Sequence, residues 1–412
     1  MMWGFGALFY FIAIFQRVSP SVMVGELMRD LSLSGAALGN LSAFYFWGYA
    51  LVQLPTGVLA DRWGPRRLLG FSAAICAFGS FLIAFADSST IAYMGRFIIG
   101  VGAGFSFVTT LKIATDWFPT HRFALLSGLT VMIGTVGGLT GQAPLAWVVG
   151  EFGWRGAMNG AGLFTLLLCI GIIISVMIQG RPKGKAQGID KKTTQPLMYE
   201  IAQALRQPQT WVLAAAGFTT LATLFAFGAL WGVPYLMEVQ GFTRPQAAGS
   251  MSLMLLGWGI GAPIIGWISD RFARRKAPFV FCSLVALSTI SLLLYGPELS
   301  ALGINILLFI NGLFSGAVIL LFATVREHNE ARVAGTAMAI VNMGIILSGA
   351  VMQPLTGWLL DNNWAGQMDA GQRLYSATAF DQALWVLPLF AAIAVGMGLM
   401  IRETHGRALR AL

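Results

Sequence analysis

Apolar runs of roughly 20 residues return along the whole length of this chain, each long enough to cross a hydrocarbon core about 30 Å thick. Bounded by charge or by Pro/Gly clusters, twelve fall at 4–28, 35–60, 68–86, 91–115, 123–149, 157–178, 210–236, 246–268, 277–295, 301–325, 333–359 and 379–401. In lipid a backbone must satisfy its own polar groups, so each run is expected to be helical. Only 10% of the 412 residues are charged, against about a quarter in a soluble domain. The +9 net charge would suggest a nucleic-acid partner in a soluble protein; here none is expected, and the placement of the basic residues carries the information instead.

The longest polar gap, 179–209, holds Arg181, Lys183, Lys185, Lys191, Lys192 and Arg206. It divides the chain into a bundle of six spans at 1–178, a basic linker with helix around Met198–Arg206, and a second bundle with a short tail at 210–412. If the N-terminus is cytoplasmic, the inner loops and tail carry nineteen Lys and Arg and the outer loops four. Such a bias puts both termini on the cytoplasmic side. The N-terminus lacks a basic n-region and a cleavage site, so it reads as a retained first span. Cys76, Cys169 and Cys282 sit singly inside apolar runs, which argues against a disulfide framework or a metal site.

The two halves repeat each other. Residues 53–67 read Gln-Leu-Pro-Thr-Gly57-Val-Leu-Ala-Asp61-Arg62-Trp-Gly64-Pro65-Arg66-Arg67, and Gly266-Trp-Ile-Ser-Asp270-Arg271 returns the Gly-to-Asp-Arg spacing. Gly100-x-x-x-Gly104 is matched by Gly312-x-x-x-Gly316, and Gln142-Ala-Pro144 by Gln353-Pro354. Paired small residues also let helices approach closely, whatever else they do.

These residues resemble the major facilitator superfamily over essentially the whole chain. The Gly57–Arg67 loop is similar to the signature between its second and third helices, Arg96-x-x-x-Gly100-x-x-x-Gly104 to its fourth helix, and Asp116-Trp-Phe-Pro119 with Arg122 to that helix's cytoplasmic exit. The resemblance implies an all-α membrane protein of twelve transmembrane helices in two pseudo-symmetric six-helix bundles. They would rock about a central cavity, exposing it to each side in turn. The glycine ladder of the superfamily's drug/proton antiporters is only partly present: Gly128, Gly137 and Gly141 are followed by Gln142-Ala143-Pro144 rather than Gly-Pro. Residues 14–67 are closer to the branch that carries organic anions.

Intramembrane charge is the chemical signal. None of the 17 acids falls at the middle of a span, whereas Arg17, Arg96 and Lys112 lie within spans. A charge at the bilayer centre costs at least about 2.5–3.5 kcal/mol, so each needs a reason. Arg17 lies about 13 residues, or roughly 20 Å, into its helix, with Pro20 just beyond. A guanidinium offers a planar fork of donors suited to a carboxylate or phosphate. Arg17 is thus a candidate anion ligand, the alternative being a structural Arg satisfied by helix carbonyls and nearby serines. Arg96 reads as structural. Lys112 either receives an anion on the inner side or pairs with Asp116 at i+4.

Tyr45, Tyr49, Gln142, Trp231, Tyr235, Trp258, Asn311, Asn342 and Gln353 complete the candidate cavity. The mid-span amides are the stronger ligand candidates, because an unpaired buried amide is costly. Gly57, Asp61, Arg62, Arg66, Arg96, Asp116 and Arg122 in the first half form a gating set. Asp270, Arg271, Arg326 and Glu327 form its counterpart in the second, with ion pairs that close the cytoplasmic side in the outward-facing state.

No nucleotide-binding loop, catalytic constellation or metal cluster is present, so neither an enzyme nor a cofactor is expected. The expected function is secondary transport of a small organic anion or zwitterion by a monomer in a bilayer, with a bacterial cytoplasmic (inner) membrane as the expected site. A proton or Na⁺ is a possible coupling partner. An efflux pump for drugs or metabolites, or a peptide or siderophore carrier, is the alternative on the same fold.

Overall fold

The computed structural model describes residues 2–119, 122–178, 197–369 and 371–406. Its helices are α1 Met2–Val18, α2 Val24–Asp30, α3 Gly35–Trp63, α4 Pro65–Ala84, α5 Ser89–Gly104, α6 Ser106–Trp117, α7 Phe123–Thr140 and α8 Ala143–Ile178 in the N-terminal half. After α9, Leu197–Arg206, the C-terminal half holds α10 Pro208–Thr223, α11 Gly232–Glu238, α12 Arg244–Phe272, α13 Lys276–Tyr295, α14 Ala301–Ser315, α15 Ile319–His328, α16 Ala331–Asn362, α17 Ala377–Leu384 and α18 Val386–Met400. A two-residue hairpin, β1 Met368–Asp369 with β2 Gln372–Arg373, is the one strand pair among the described residues. The expected linker residues 179–196 lie outside the described residues.

Among the described residues, ten helical stretches are long and apolar enough to cross a membrane; Leu125–Thr140 is a shorter apolar helix, and α3 runs for 29 residues. Several expected spans are broken, and local chemistry says where. The first span ends as α helix at Val18, and Ser19–Val22 continue it as a 3₁₀ turn with Pro20 near its start. Proline cannot donate to the ladder, and the flanking serines take up carbonyls in that turn: Ser19 Oγ donates to Gln16 O at 3.1 Å and Ser21 Oγ to Val18 O at 2.8 Å. The fourth span of each half breaks at related places, Phe105 between α5 and α6, and Gly316–Val318 between α14 and α15. The seventh span widens into a π-helix over Leu224–Trp231, between α10 and α11.

The repeated glycines are packing sites. A Cβ at Gly100 would strike the Tyr45 carbonyl of α3, and one at Gly312 the Met254 carbonyl of α12, so equivalent helix pairs in the two halves rest backbone on backbone. The halves meet most closely at the end opposite the termini. There Gly39 of α3 lies against Gln353 and Pro354 of α16, and Glu26 pairs with Arg244 at 2.6 Å. Toward the terminal end, Gly57 of α3, Gly128 of α7 and Gly335 of α16 face open space.

Candidate functional site

Arg17 occupies the last turn of α1, where helix carbonyls present the negative end of the macrodipole. The residue is 8% exposed, and its guanidinium sits inside a ring of aromatic side chains. The carbon of the guanidinium lies 5.1 Å from the Tyr49 ring, 5.8 Å from Tyr45 and 6.0 Å from Phe46, all on α3. The fourth ring, Phe225 at 5.7 Å, comes from the π-helix of the other half. Aromatic faces attract cations, so the rings replace part of the lost hydration. Among the described residues no carboxylate pairs with Arg17, and its Nε has no hydrogen-bond partner.

Behind Tyr45 lies a second buried cation. Arg96 stands 5.1 Å from the same ring and donates from Nη1 to Gln16 O at 2.7 Å. Gln16 Nε2 donates to Ser80 Oγ at 3.0 Å, and the Tyr45 hydroxyl to Ala13 O at 2.7 Å. These bonds tie α1 to α3, α4 and α5 around the turn that carries Arg17. Two guanidinium groups flank one ring, with no acid between them among the described residues.

The paired glutamines both grip the π-helix. Gln353 Nε2 donates to Phe225 O at 2.8 Å and Gln142 Nε2 to Gly228 O at 3.1 Å, while Gln142 Oε1 accepts from Ser21 Oγ at 3.2 Å. The Trp231 indole donates to Gln353 O at 3.0 Å. The π-helix that carries Phe225 to Arg17 is thus tied on one side to its own half and on the other to α8 and the Pro20 turn.

A family model described as Major Facilitator Superfamily matches residues 6–353. This chain belongs to that superfamily. Its members are transporters rather than enzymes. Among its relatives, the probable sulfoacetate transporter SauU of Cupriavidus necator is 24% identical over 382 residues, covering 88% of this chain and 87% of that one. The gentisate transporter of Corynebacterium glutamicum is 27% identical over 389 residues, covering 92% and 83%. A crystal structure of a bacterial homolog of the human lysosomal transporter Spinster, in an inward-facing and occupied conformation, superposes with a TM-score of 0.79 at 17% identity. It covers 97% of this chain and 96% of that one, and shows the fold alone.

Several residues expected to line the superfamily's central cavity are otherwise engaged. Asn311 donates to Ala286 O at 2.9 Å and to Thr289 Oγ1 at 3.0 Å, joining α14 to α13 inside one half. The Tyr235 hydroxyl bonds Leu293 O at 3.4 Å, and its ring packs edge-on against Phe227 and Phe380. Gln142, Gln353 and Trp231 are spent on the π-helix, as above. Asn342 is half-buried and forms no hydrogen bond among the described residues. It lies two turns, about 10 Å, from Gly349 on the same face of α16, and Gly349 abuts the Phe46 ring. Lys112 is half-buried on α6.

The gating residues divide in the same way. Arg66 donates to Ser175 O and Val176 O at the end of α8 and stacks on Trp117 at 5.2 Å. Gly57, Arg62, Asp116 and Arg122 are exposed, and the Asp61 side chain lies outside the described residues. In the second half Arg271 and Arg326 are exposed, and a residue outside the expected set gathers the acids. Arg275 pairs with Asp270 at 2.5 Å and with Glu327 at 2.8 Å. Its backbone N–H and that of Lys276 donate to Glu403 at 2.8 and 3.0 Å. The sequence reading also missed Phe46 and Phe225; the aromatic run Phe44–Trp47 was a legible hint of the first.

Proposed function

We propose that this protein is a secondary transporter of a small organic anion, bearing a carboxylate or sulfonate, and that Arg17 is its anchor. The observation that carries this reading is a buried guanidinium with an unpartnered Nε, no acid beside it among the described residues, and rings contributed by both halves. A cation so held supplies the charge for an incoming anion, and the rings keep competing water away. Asn342, unbonded and on the face that reaches Phe46, is the next ligand. The relatives' cargoes, sulfoacetate and gentisate, are anions of this kind.

Transport proceeds by alternating access. With the termini cytoplasmic, as the Lys and Arg bias indicates, packing at the opposite end and open space beside Gly57, Gly128 and Gly335 describe an inward-facing state. The setting is a bacterial inner membrane and the working unit a monomer. With no acid beside Arg17, any coupling proton or Na⁺ balances the charge of the cargo. The test is a thermal-shift screen of purified protein against gentisate, sulfoacetate, sugar acids, phosphates and amino acids, followed by uptake of the hit into proteoliposomes. A ligand at a hundredfold excess over Kd stabilises by about 2.7 kcal/mol. That response is expected in the wild type and lost in Arg17→Gln; equal stabilisation of both proteins removes Arg17 from the site.

A further inference from the structure

Asp361 lies in the last turn of α16 and reaches across to the other half. Its Oδ1 accepts from Gly35 N–H at 2.9 Å and its Oδ2 from Ala36 N–H at 2.8 Å, the first two residues of α3. From its own half, the Tyr375 hydroxyl donates to Oδ1 at 2.6 Å and Arg373 Nη1 at 3.0 Å. Tyr375 also bridges, because its oxygen accepts from Gly35 N–H at 2.9 Å. A helix leaves its first N–H groups without partners and carries positive potential at that end. In α3 the ordinary cap, Ser34, takes only Ala37 N–H, at 3.3 Å. The remaining donors are served by a carboxylate from the opposite bundle.

The surroundings suit a contact made and broken repeatedly. Gly35, Gly39 and Gly357 bring backbone onto backbone here, so the carboxylate arrives without an intervening side chain. When the halves part, Asp361 keeps Arg373 and Tyr375, so no charge is stranded, and water can serve Gly35 and Ala36. The inter-half ion pair described at this end, Glu26–Arg244, joins two flexible side chains. Asp361 instead meets rigid backbone donors.

The geometry points to Asp361 as the latch of the sealed end: a carboxylate of the C-terminal half that caps the second-span helix of the N-terminal half and must let go before the cleft opens on that side. This rests on the alternating-access reading above. Each charge-assisted hydrogen bond lost is expected to move the equilibrium by roughly tenfold or more.

The test is a distance measurement between spin labels at Asp87 and Glu298, exposed positions on loops of the two halves at the sealed end. Asp361→Asn is expected to raise the population of the long distance at least about tenfold. Tyr375→Phe, which removes only the bridging hydroxyl, is expected to give a smaller shift in the same direction and stands in if Asp361→Asn does not fold. An unmoved distribution in folded Asp361→Asn, or in Tyr375→Phe where it is the surrogate, overturns the latch. A shift in Asp361→Asn together with no anion uptake by the wild type keeps the latch and removes the transport reading.

Discussion

Replacing Arg17 by methionine separates an anion anchor from a structural arginine, because the two roles predict different stabilities for the empty protein. A charge at mid-membrane depth costs about 2.5–3.5 kcal/mol. Against this stand four rings at 5.1–6.0 Å, worth about 0.5 kcal/mol each at the low end of cation–π estimates. The carbonyl end of α1 adds roughly 0.3–1 kcal/mol. The sum leaves roughly 0–1 kcal/mol of the cost uncompensated, and no hydrogen bond at Nε to recover it. Methionine has comparable reach, fills irregular gaps and makes favourable contacts with rings. Ligand-free Arg17→Met is therefore expected to match the wild type or exceed it by up to about 1 kcal/mol, while its response to the anion disappears. Thermal unfolding in detergent, with and without the anion, measures both. A ligand-free loss of about 3–5 kcal/mol, the range for breaking a buried hydrogen-bonded charge, would mean that the guanidinium holds the helices together and the reasoning fails.

The two asparagines are expected to behave oppositely. Asn311→Ala loses about 1 kcal/mol of stability and keeps the anion response, whereas Asn342→Ala unfolds as the wild type does and binds the anion more weakly; isothermal titration beside thermal unfolding tells them apart. A Cβ at Gly39 would lie 2.5 Å from Gln353 O and from Pro354 Cα, an overlap worth about 1–3 kcal/mol. Gly39→Ala should thus shift the spin-label distances toward the separated state, while Gly57→Ala, with nothing within 4 Å, should not. Burial pushes the Glu403 carboxyl up, but N–H donors from Arg275, Lys276, His405 and Thr404 outweigh it, and the pKa falls below the ordinary 4.5. The tail's attachment to α13 is therefore intact at neutral pH and weakens as pH drops below about 4.5. Hydrogen exchange at residues 401–406 across that range should show the loosening in the wild type, and Glu403→Gln should be loose at every pH.

Sequence made the halves and their repeat legible because apolar length and glycine spacing are local properties, and it made Arg17 legible because an arginine deep in an apolar run has few explanations. It misassigned the amides for a physical reason. Gln142 reads as a cavity ligand because a mid-span amide needs a partner, and Gln353 as part of the same cavity; both do have partners, carbonyls of a π-helix that no local pattern announces. The second gate went wrong through a single residue. Ala273 ends α12 in the left-handed region, with φ of 48°, a conformation alanine rarely adopts. That turn brings Arg275 back over Ser269 and Asp270, to which its Nη1 donates at 2.8 and 2.5 Å. The expected acids Asp270 and Glu327 do meet a cation, but it is Arg275 rather than Arg271 or Arg326, since register past a left-handed residue cannot be counted along a helix. Asp361 shows the same principle across the two halves. It lies 326 residues from Gly35, which it caps, and at the end of a span it looks like any solvated acid. The cleft's anion is expected to be met by Arg17, which sequence exposes. The step that lets the anion cross is expected to depend on Phe225, Gln142 and Asp361, whose contacts form only where one half touches the other.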